Sequence, residues 1–436
     1  MTGENATAVA GEFALELEVW HQFVEHHWER DPIVLKSPFQ HPLLTPEELF
    51  DALIAAAEAF SASRNVQYRS THIRFSRRHT AVITDVGRFL PTRDDGSAMG
   101  YFHRLERCLR GEPFELIVNE CQEHSLPLWD RLSSFLRSLY HLVGLPARTA
   151  EVALFLRNHE KTSFGVHRDD ASVFLFPLQG RKRILAWRPE VFASTNVTST
   201  LEYEQFRDEA IILEGEPGDV LYWPSTHWHI GEADPGASIT ANLGLHVVAR
   251  PEEELWSAMR LTGHGRVTVP VASRCLPCPP YDLQEQAPRL PTTWQEWLRA
   301  LQEATLDGSL AKALQLVWVN RVTGRGFTHC PPPQRPEPVH EEAVVRALTP
   351  IVWIPWSTEK IACSANGHAF AITSTPGVLP LLEHLSRGTP HSVQHLLDVC
   401  AGEELEERAF LCAVLARLVA LRAVMVCPDA AAQEVA

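Results

Sequence analysis

His167 and Asp169 stand two residues apart in FGVHRDDASVFLF, and His229 follows in GDVLYWPSTHWHIGEA. Two imidazoles and one carboxylate can cap one face of an octahedral metal and leave the remaining positions open. That is the ligand set expected of a non-haem Fe(II) oxygenase. On a strand, residues i and i+2 point to the same side, so Asp169 shares the face of His167 while its neighbour Asp170 faces away. His227 competes with His229, because it would share that face on a straight strand; the position five residues after Pro224 favours His229. Neutral histidines also suit zinc, so the ligand types leave iron and zinc both open.

Other polar residues stand near these three. Lys182 lies fifteen residues after His167, on the strand expected after the Gln179-Gly180 turn, and alternation puts it opposite Arg181 and Arg183. A cation at the bottom of a barrel would hold the distal carboxylate of 2-oxoglutarate while the ketoacid end chelates the metal. Asn242 is a polar group in an apolar strand, and its amide either satisfies a nearby turn or hydrogen-bonds the cosubstrate or the metal's surroundings. Asn158, Thr162 and Ser163, just upstream of His167, are further candidates for contact with the cosubstrate.

The elements that must position these residues follow from periodicity. From Ala150 to about Arg250, short β-branched or aromatic segments alternate with turn residues: 152–156, 173–178, 183–187, 211–213, 220–223 and 238–247. Many short strands with such punctuation indicate a sandwich or barrel. Pro224 begins a loop from which His229 returns to the barrel mouth. Before the barrel, helices are expected over 20–28, from Thr45 to Phe60 and from about Asp130 to Val143. Thr45-Pro-Glu-Glu48 supplies an N-cap, a proline at the first helical position and a capping-box glutamate. Short β-prone segments such as 81–85 lie between the second and third of these helices. Leu132, Phe135, Leu136, Leu139 and Val143 form an apolar stripe that Gly144 and Pro146 end.

Beyond the barrel, 251–340 is proline-rich and then helical, with Trp294, Trp297, Leu298 and Leu301 at helical spacing, an apolar face that either covers the barrel, the reading that core packing favours, or pairs two subunits; 330–338 reads as a stiff linker. The tail, 345–430, is a small α/β unit with strands near 351–356 and 368–373 and helices at 378–386, 393–400 and 405–420, which suggests a winged helix. Its acidic residues outnumber its basic ones, which argues against reading DNA. A strand edge in such a unit can capture an extended peptide; the alternative is a packing or dimer unit.

Composition bounds the rest. The chain has 436 residues and a formal net charge of −15, which disfavours nonspecific contact with nucleic-acid phosphates. No run of about 18 uncharged apolar residues is present, so no membrane span is expected. The acidic N-terminus lacks the basic region of a secretory signal, and a cytoplasmic protein is expected. Nine scattered cysteines do not suggest a disulfide framework. Cys275 and Cys278 have metal-ligand spacing, with His329–Cys330 as the nearest further ligands for a zinc site.

Taken together, His167-x-Asp169, the run 173–183 with Lys182, GDVLYWP (218–224) with His229, ITAN (239–242) and HHWERDPIVLK (26–36) resemble the JmjC-type, cupin-like Fe(II)/2-oxoglutarate oxygenases over about residues 15–250. The helical segment and winged tail resemble the ribosomal oxygenase branch, which dimerises through that segment; Lys182 departs from that branch's arginine and matches the asparaginyl hydroxylases.

The resemblance implies a mixed α+β chain with four parts. Residues 1–149 would give helices and outer strands, 150–250 a double-stranded β-helix, 251–340 a helical segment that pairs two copies, and 345–430 the winged-helix-like unit. It implies Fe(II) on His167, Asp169 and His229, with 2-oxoglutarate and O2 as cosubstrates. Lys182 would hold the 2-oxoglutarate, with Asn242, Asn158 and Thr162 beside it. The implied activity is hydroxylation of a protein or peptide side chain, on a ribosomal protein or a precursor peptide. An N-methyl-lysine or methyl-arginine demethylase and a catalytically silent peptide-binding cupin are the alternatives.

Overall fold

The computed structural model describes residues 13–64, 72–82, 85–162, 165–192, 202–262 and 292–427, with side chains of the last stretch from 295 onward. They fall into two units: residues up to 249 together with 324–334, and residues 250–323 together with 335 onward.

In the first unit, Thr45 caps the helix Pro46–Ala62: its hydroxyl accepts from the Glu48 amide, and the Glu48 carboxylate accepts from the Thr45 amide. Glu48 also receives the Arg131 guanidinium at 2.6 and 2.9 Å, which ties this helix to Leu126–Val143. The latter begins four residues earlier than the apolar stripe alone indicates, because Ser125 accepts from the Leu128 amide and Pro127 sits in the first turn. Leu132, Phe135, Leu136 and Leu139 are fully buried, and Trp20, from the helix Leu17–His26, packs its ring 5.1 Å from Phe135. Two elements between 85 and 125 are new: the helix Ala98–Leu109, capped by Ser97, and a fully buried strand Phe114–Val118. A five-residue apolar run is too short to announce itself by periodicity.

The strands of this unit are β1 (Ile33–Leu35), β2 (Ile73–Arg77), β3 (Thr80–Ala81), β4 (Phe114–Val118), β5 (Ala150–Arg157), β6 (Ala171–Gln179), β7 (Lys182–Trp187), β8 (Ile211–Gly215), β9 (Val220–Trp223), β10 (Trp228–Ala233) and β11 (Ser238–His246). Among the described residues, all but three form one antiparallel sheet, in the order β1-β9-β6-β11-β5-β4-β2-β3. β10, β7 and β8 form a second, also antiparallel. The segment leading to His167 runs along the free edge of β10 through the bridges Lys161↔Glu232 and His167↔His229. The fold is a mixed α+β double-stranded β-helix with a large antiparallel sheet. β10 is a strand where the sequence suggests a loop return; WHIGEA carries a glycine and a glutamate and few β-branched residues. Residues 324–334 return to this unit, with the Ala150 amide donating to the Gly326 carbonyl and Phe327 buried.

The second unit holds helices Pro251–Leu261, Thr292–Leu306 and Ser309–Thr323. Two three-stranded sheets follow. One pairs β12 (Val344–Ala347) with β16 (His391–Ser392) and β17 (Val424–Cys427). The other is β13 (Ile351–Pro355), β14 (Lys360–Ala365) and β15 (His368–Thr373). Helices Val378–Ser386, Val393–Cys400 and Leu405–Ala420 enclose a core that includes Leu381, Leu385, Leu396, Leu415 and Leu418. No helix among the described residues is long and apolar enough to cross a membrane.

Two substitutions test which of these contacts hold the first unit together. Thr45→Ala should lower stability by about 1 kcal/mol through loss of the cap. Leu139→Ala should lower it by roughly 2–5 kcal/mol through the cavity it leaves. Chemical denaturation of the purified chain reads both; equal effects would mean the cap does more than close one helix end.

Candidate metal centre

Alternation along five strands aims one set of side chains into a cavity of about 750 Å³. Ala153 and Phe155 come from β5, Val173 and Leu175 from β6, Lys182 and Ile184 from β7, His229 and Gly231 from β10, and Thr240, Asn242 and Gly244 from β11. Every pair is spaced by two, as a pleated strand requires.

The metal-ligand candidates sit at one side of this cavity. The His167 amide donates to the His229 carbonyl at 3.1 Å, and the His229 amide returns the bond to His167 at 2.8 Å. This reciprocal bridge brings the ring centroids to 4.3 Å. Nδ1 of His167 lies 3.0 Å from the Gly165 carbonyl. A proton on that nitrogen leaves the lone pair on Nε2, the atom that faces the carboxylate. Asp169 lies between the two rings, with oxygens 3.7 Å from His167 Nε2 and 3.4 Å from His229 Nε2. One ligand atom from each of the three falls within 4.8 Å of the others. Burial would raise the Asp169 carboxyl, but the two imidazoles beside it, His167 and His229, outweigh burial and hold the group well below the usual carboxylate range. His229 is only 5% exposed, and burial, with His167 beside it, lowers its imidazole and keeps it neutral. A neutral, desolvated imidazole and a committed carboxylate are the protonation states a divalent metal needs. The donor set and its open side fit a six-coordinate divalent transition ion.

Neither competing residue reaches this point. Asp170 lies 4.0 Å from the Arg148 guanidinium and outside the ligand group. His227 is buried without lining the cavity, and its Nε2 has no hydrogen-bond partner among the described residues.

Lys182 lies at the closed end, 4% exposed, and no hydrogen-bond partner for its ammonium occurs among the described residues. Burial, with the Arg157 guanidinium as its neighbour, pushes its ammonium well below the ordinary lysine range; Glu115 and Glu232 pull the other way. Arg157, 1% exposed, donates to the Gly231 carbonyl at 3.1 Å and stands 3.8 Å from Glu115, while its Nε and Nη1 have no hydrogen-bond partner among the described residues. Glu232 is occupied by Arg207 at 2.8 and 2.9 Å and by the Tyr203 hydroxyl at 2.7 Å; the Arg207 bonds bring its carboxyl down to about 2. Lys182 and Arg157 therefore place nitrogen donors at the end of the cavity, where an arriving anion would favour the protonated lysine. Gly231 leaves the space: a Cβ there would lie 3.0 Å from the Lys182 ammonium nitrogen.

The remaining sequence candidates divide. Thr162 and Asn242 line the cavity. The Thr162 hydroxyl is bonded to both the amide and carbonyl of Gly231, and the Asn242 side-chain oxygen accepts from Thr240 at 2.9 Å. Asn158 does not line it, because its side-chain oxygen accepts from the Phe114 amide and its nitrogen donates to the Glu112 carbonyl, pinning the start of β4. Ser163, Cys275 and Cys278 lie outside the described residues. Sequence reasoning missed Thr240, two residues before Asn242 on the same face, which alternation would have found. It also missed Arg157, Glu115 and Glu232, whose convergence comes from three different strands.

The JmjC domain family matches residues 134–252, a stretch that contains His167, Asp169, Lys182, His229 and Asn242. A comparison with curated protein sequences finds no match. Among solved structures, the ribosomal oxygenase YcfD from Escherichia coli in complex with cobalt and 2-oxoglutarate is similar at 18% identity, covering 93% of this chain and 98% of that chain, with a TM-score of 0.47. The same protein with cobalt and succinic acid is similar at 18% identity and the same coverages, with a TM-score of 0.46.

The geometry of the site separates the two histidines by experiment. Cobalt(II) titrated into His227→Ala should give the ligand-field absorption of the wild type, and His229→Ala should lose it. Equal loss in both variants would show that the ligand group has been misassigned.

Proposed function

We propose that the protein is an Fe(II)- and 2-oxoglutarate-dependent dioxygenase that hydroxylates a side chain of a protein or peptide. The observation that carries this reading is the pairing of two features in one cavity: the convergent His167, Asp169 and His229 ligand atoms, and the buried, unpartnered Lys182 ammonium. The match of residues 134–252 to the JmjC domain supports it. When bound, Fe(II) with 2-oxoglutarate and O2 supplies the oxidising power to hydroxylate an unactivated C–H bond, releasing succinate and CO2.

The chain's own residues position and shield. His167, Asp169 and His229 hold the metal on one face and leave the other open to the cavity. Lys182, at the closed end, pairs with the distal carboxylate of 2-oxoglutarate, and Arg157 keeps that region cationic. Trp223, Leu175 and Ile184 line the apolar wall and limit water near the reacting centre. The rim carries Arg74, Arg148, Arg168, Glu120 and Glu151, a mixed-charge surface that suits a polar side chain presented by a polypeptide.

The deciding experiment is an anaerobic titration of the apoprotein with Fe(II) and then 2-oxoglutarate, following the visible metal-to-ketoacid charge-transfer band. A saturable band in the wild type, absent in His229→Ala, is expected. Lys182→Met should weaken 2-oxoglutarate by about 10–100-fold, the loss of one charge-assisted hydrogen bond of roughly 1.5–3 kcal/mol. Gly231→Val, which crowds Lys182, should do the same without loss of the metal. No band in the wild type would overturn the reading in favour of a catalytically silent cupin. Given a band, a +16 Da product identifies the substrate, and loss of 14 Da would reassign the enzyme as a demethylase.

We further infer that two copies associate through the helices 251–261, 292–306 and 309–323, where Trp256 is 50%, Trp318 53% and Leu306 88% exposed. Sedimentation should give a dimer for the wild type and a monomer for Trp318→Glu with Trp256→Glu; a monomeric wild type would refute it.

A further inference from the structure

A second cluster of metal-binding side chain types stands at the rim of the cavity and shares no residue with the first. His72 directly precedes β2, and Glu120 and Glu123 belong to the turn after β4. One ligand atom from each lies within 4.8 Å of the other two. His72 Nε2 is 2.5 Å from one Glu120 oxygen, and His329 Nδ1 is 2.9 Å from the other. Glu120 is thus held between two imidazoles, one from each of two distant stretches of chain.

The three stretches are fixed independently of these side chains. The Asn119 amide donates to the His72 carbonyl at 2.8 Å. The fully buried Gln122 accepts from the Val152 amide at 2.9 Å and donates to the His329 carbonyl at 3.1 Å. The barrel scaffold therefore delivers the cluster ready-made.

We propose that His72, Glu120 and Glu123 bind a divalent transition ion, Zn(II) in particular, with His329 holding Glu120 through its second oxygen. One imidazole and two carboxylates are an N/O donor set of the kind zinc accepts, leaving a position for water. A histidine bonded to the far oxygen of a ligating carboxylate is the usual means of orienting such a ligand. The protonation states agree. Burial would raise Glu120, but its bonds to His329 and His72 bring it below the ordinary range, so it is an anion. Glu123 is raised chiefly by burial, which outweighs the downward pull of His329 and His72, while the Glu120 charge adds to the rise. Such an ion would fasten the returning segment 324–334 to the rim of the cavity. The remaining groups facing the cluster are His124, whose imidazole burial pushes down to about 4, and Glu151, which acts on His329.

The test uses the full chain and Zn(II) alone, by calorimetric titration with fold checked by circular dichroism. His167→Ala with His229→Ala removes the first centre, and Cys275→Ser with Cys278→Ser removes the one other zinc-type motif in the sequence. This four-substitution background should still bind one equivalent, and Zn(II) should raise its melting temperature. Adding Glu120→Gln should abolish both effects, and adding His329→Gln should weaken Zn(II) by about 10–100-fold. No binding in the background, or binding that survives Glu120→Gln, would overturn the proposal. Neither outcome touches the Fe(II) reading, which the background has already removed from the measurement.

Discussion

The structure depends on a two-way backbone bridge. The amide and carbonyl of His167 meet the carbonyl and amide of His229, so the segment before β6 and the start of β10 are held in antiparallel register at one residue pair. Register on a strand has period two, and a slip of either segment by one residue would turn its imidazole from the cavity to the outside. The same bridge sets where Asp169 stands, because it lies two residues beyond His167. Two residues beyond His229, Gly231 pairs with Ile184 on β7, and its missing side chain leaves space for the Lys182 ammonium that reaches across from the next pair.

The price of this arrangement is charge in the interior. Lys182, Arg157, Glu115 and Glu232 are all under a tenth exposed, an unusual concentration for groups that water solvates strongly. Glu232 is neutralised locally by Arg207 and Tyr203, and Glu115 stands near Arg157. What remains is Lys182, whose amine has no hydrogen-bond partner among the described residues. Such groups destabilise a fold unless a ligand completes them, so a buried unpartnered ammonium at the end of a cavity is better explained by recognition of an anion than by stability.

Much of this was legible in the sequence. The Thr45–Glu48 capping box, the stripe Leu132–Leu139 and the strand segments around 152–156, 173–178 and 220–223 are local patterns whose physics acts within a few residues, and they are present as read. His167, Asp169, His229, Lys182 and Asn242 could be named because alternation and spacing carry over directly from sequence to face. Asn158 shows the limit: a polar residue just upstream of a site spends its amide on the neighbouring strand, and nothing local distinguishes the two uses. The helix 98–109, the strand 114–118 and the strand character of 228–233 were not legible, since their apolar runs are short or interrupted.

The sequence by itself determined which chemistry was available: two imidazoles, a carboxylate and a lysine, at spacings that alternation could assign to one face. The tertiary structure decided which histidine and which aspartate converge, because that depends on the pairing of segments sixty residues apart. It also decided where charge is buried. Arg157, Glu115 and Glu232 come from different strands of two sheets, and His72, Glu120 and His329 from three separate stretches of chain. Their meeting is a consequence of long-range hydrogen-bond register, which leaves no periodic trace along the chain.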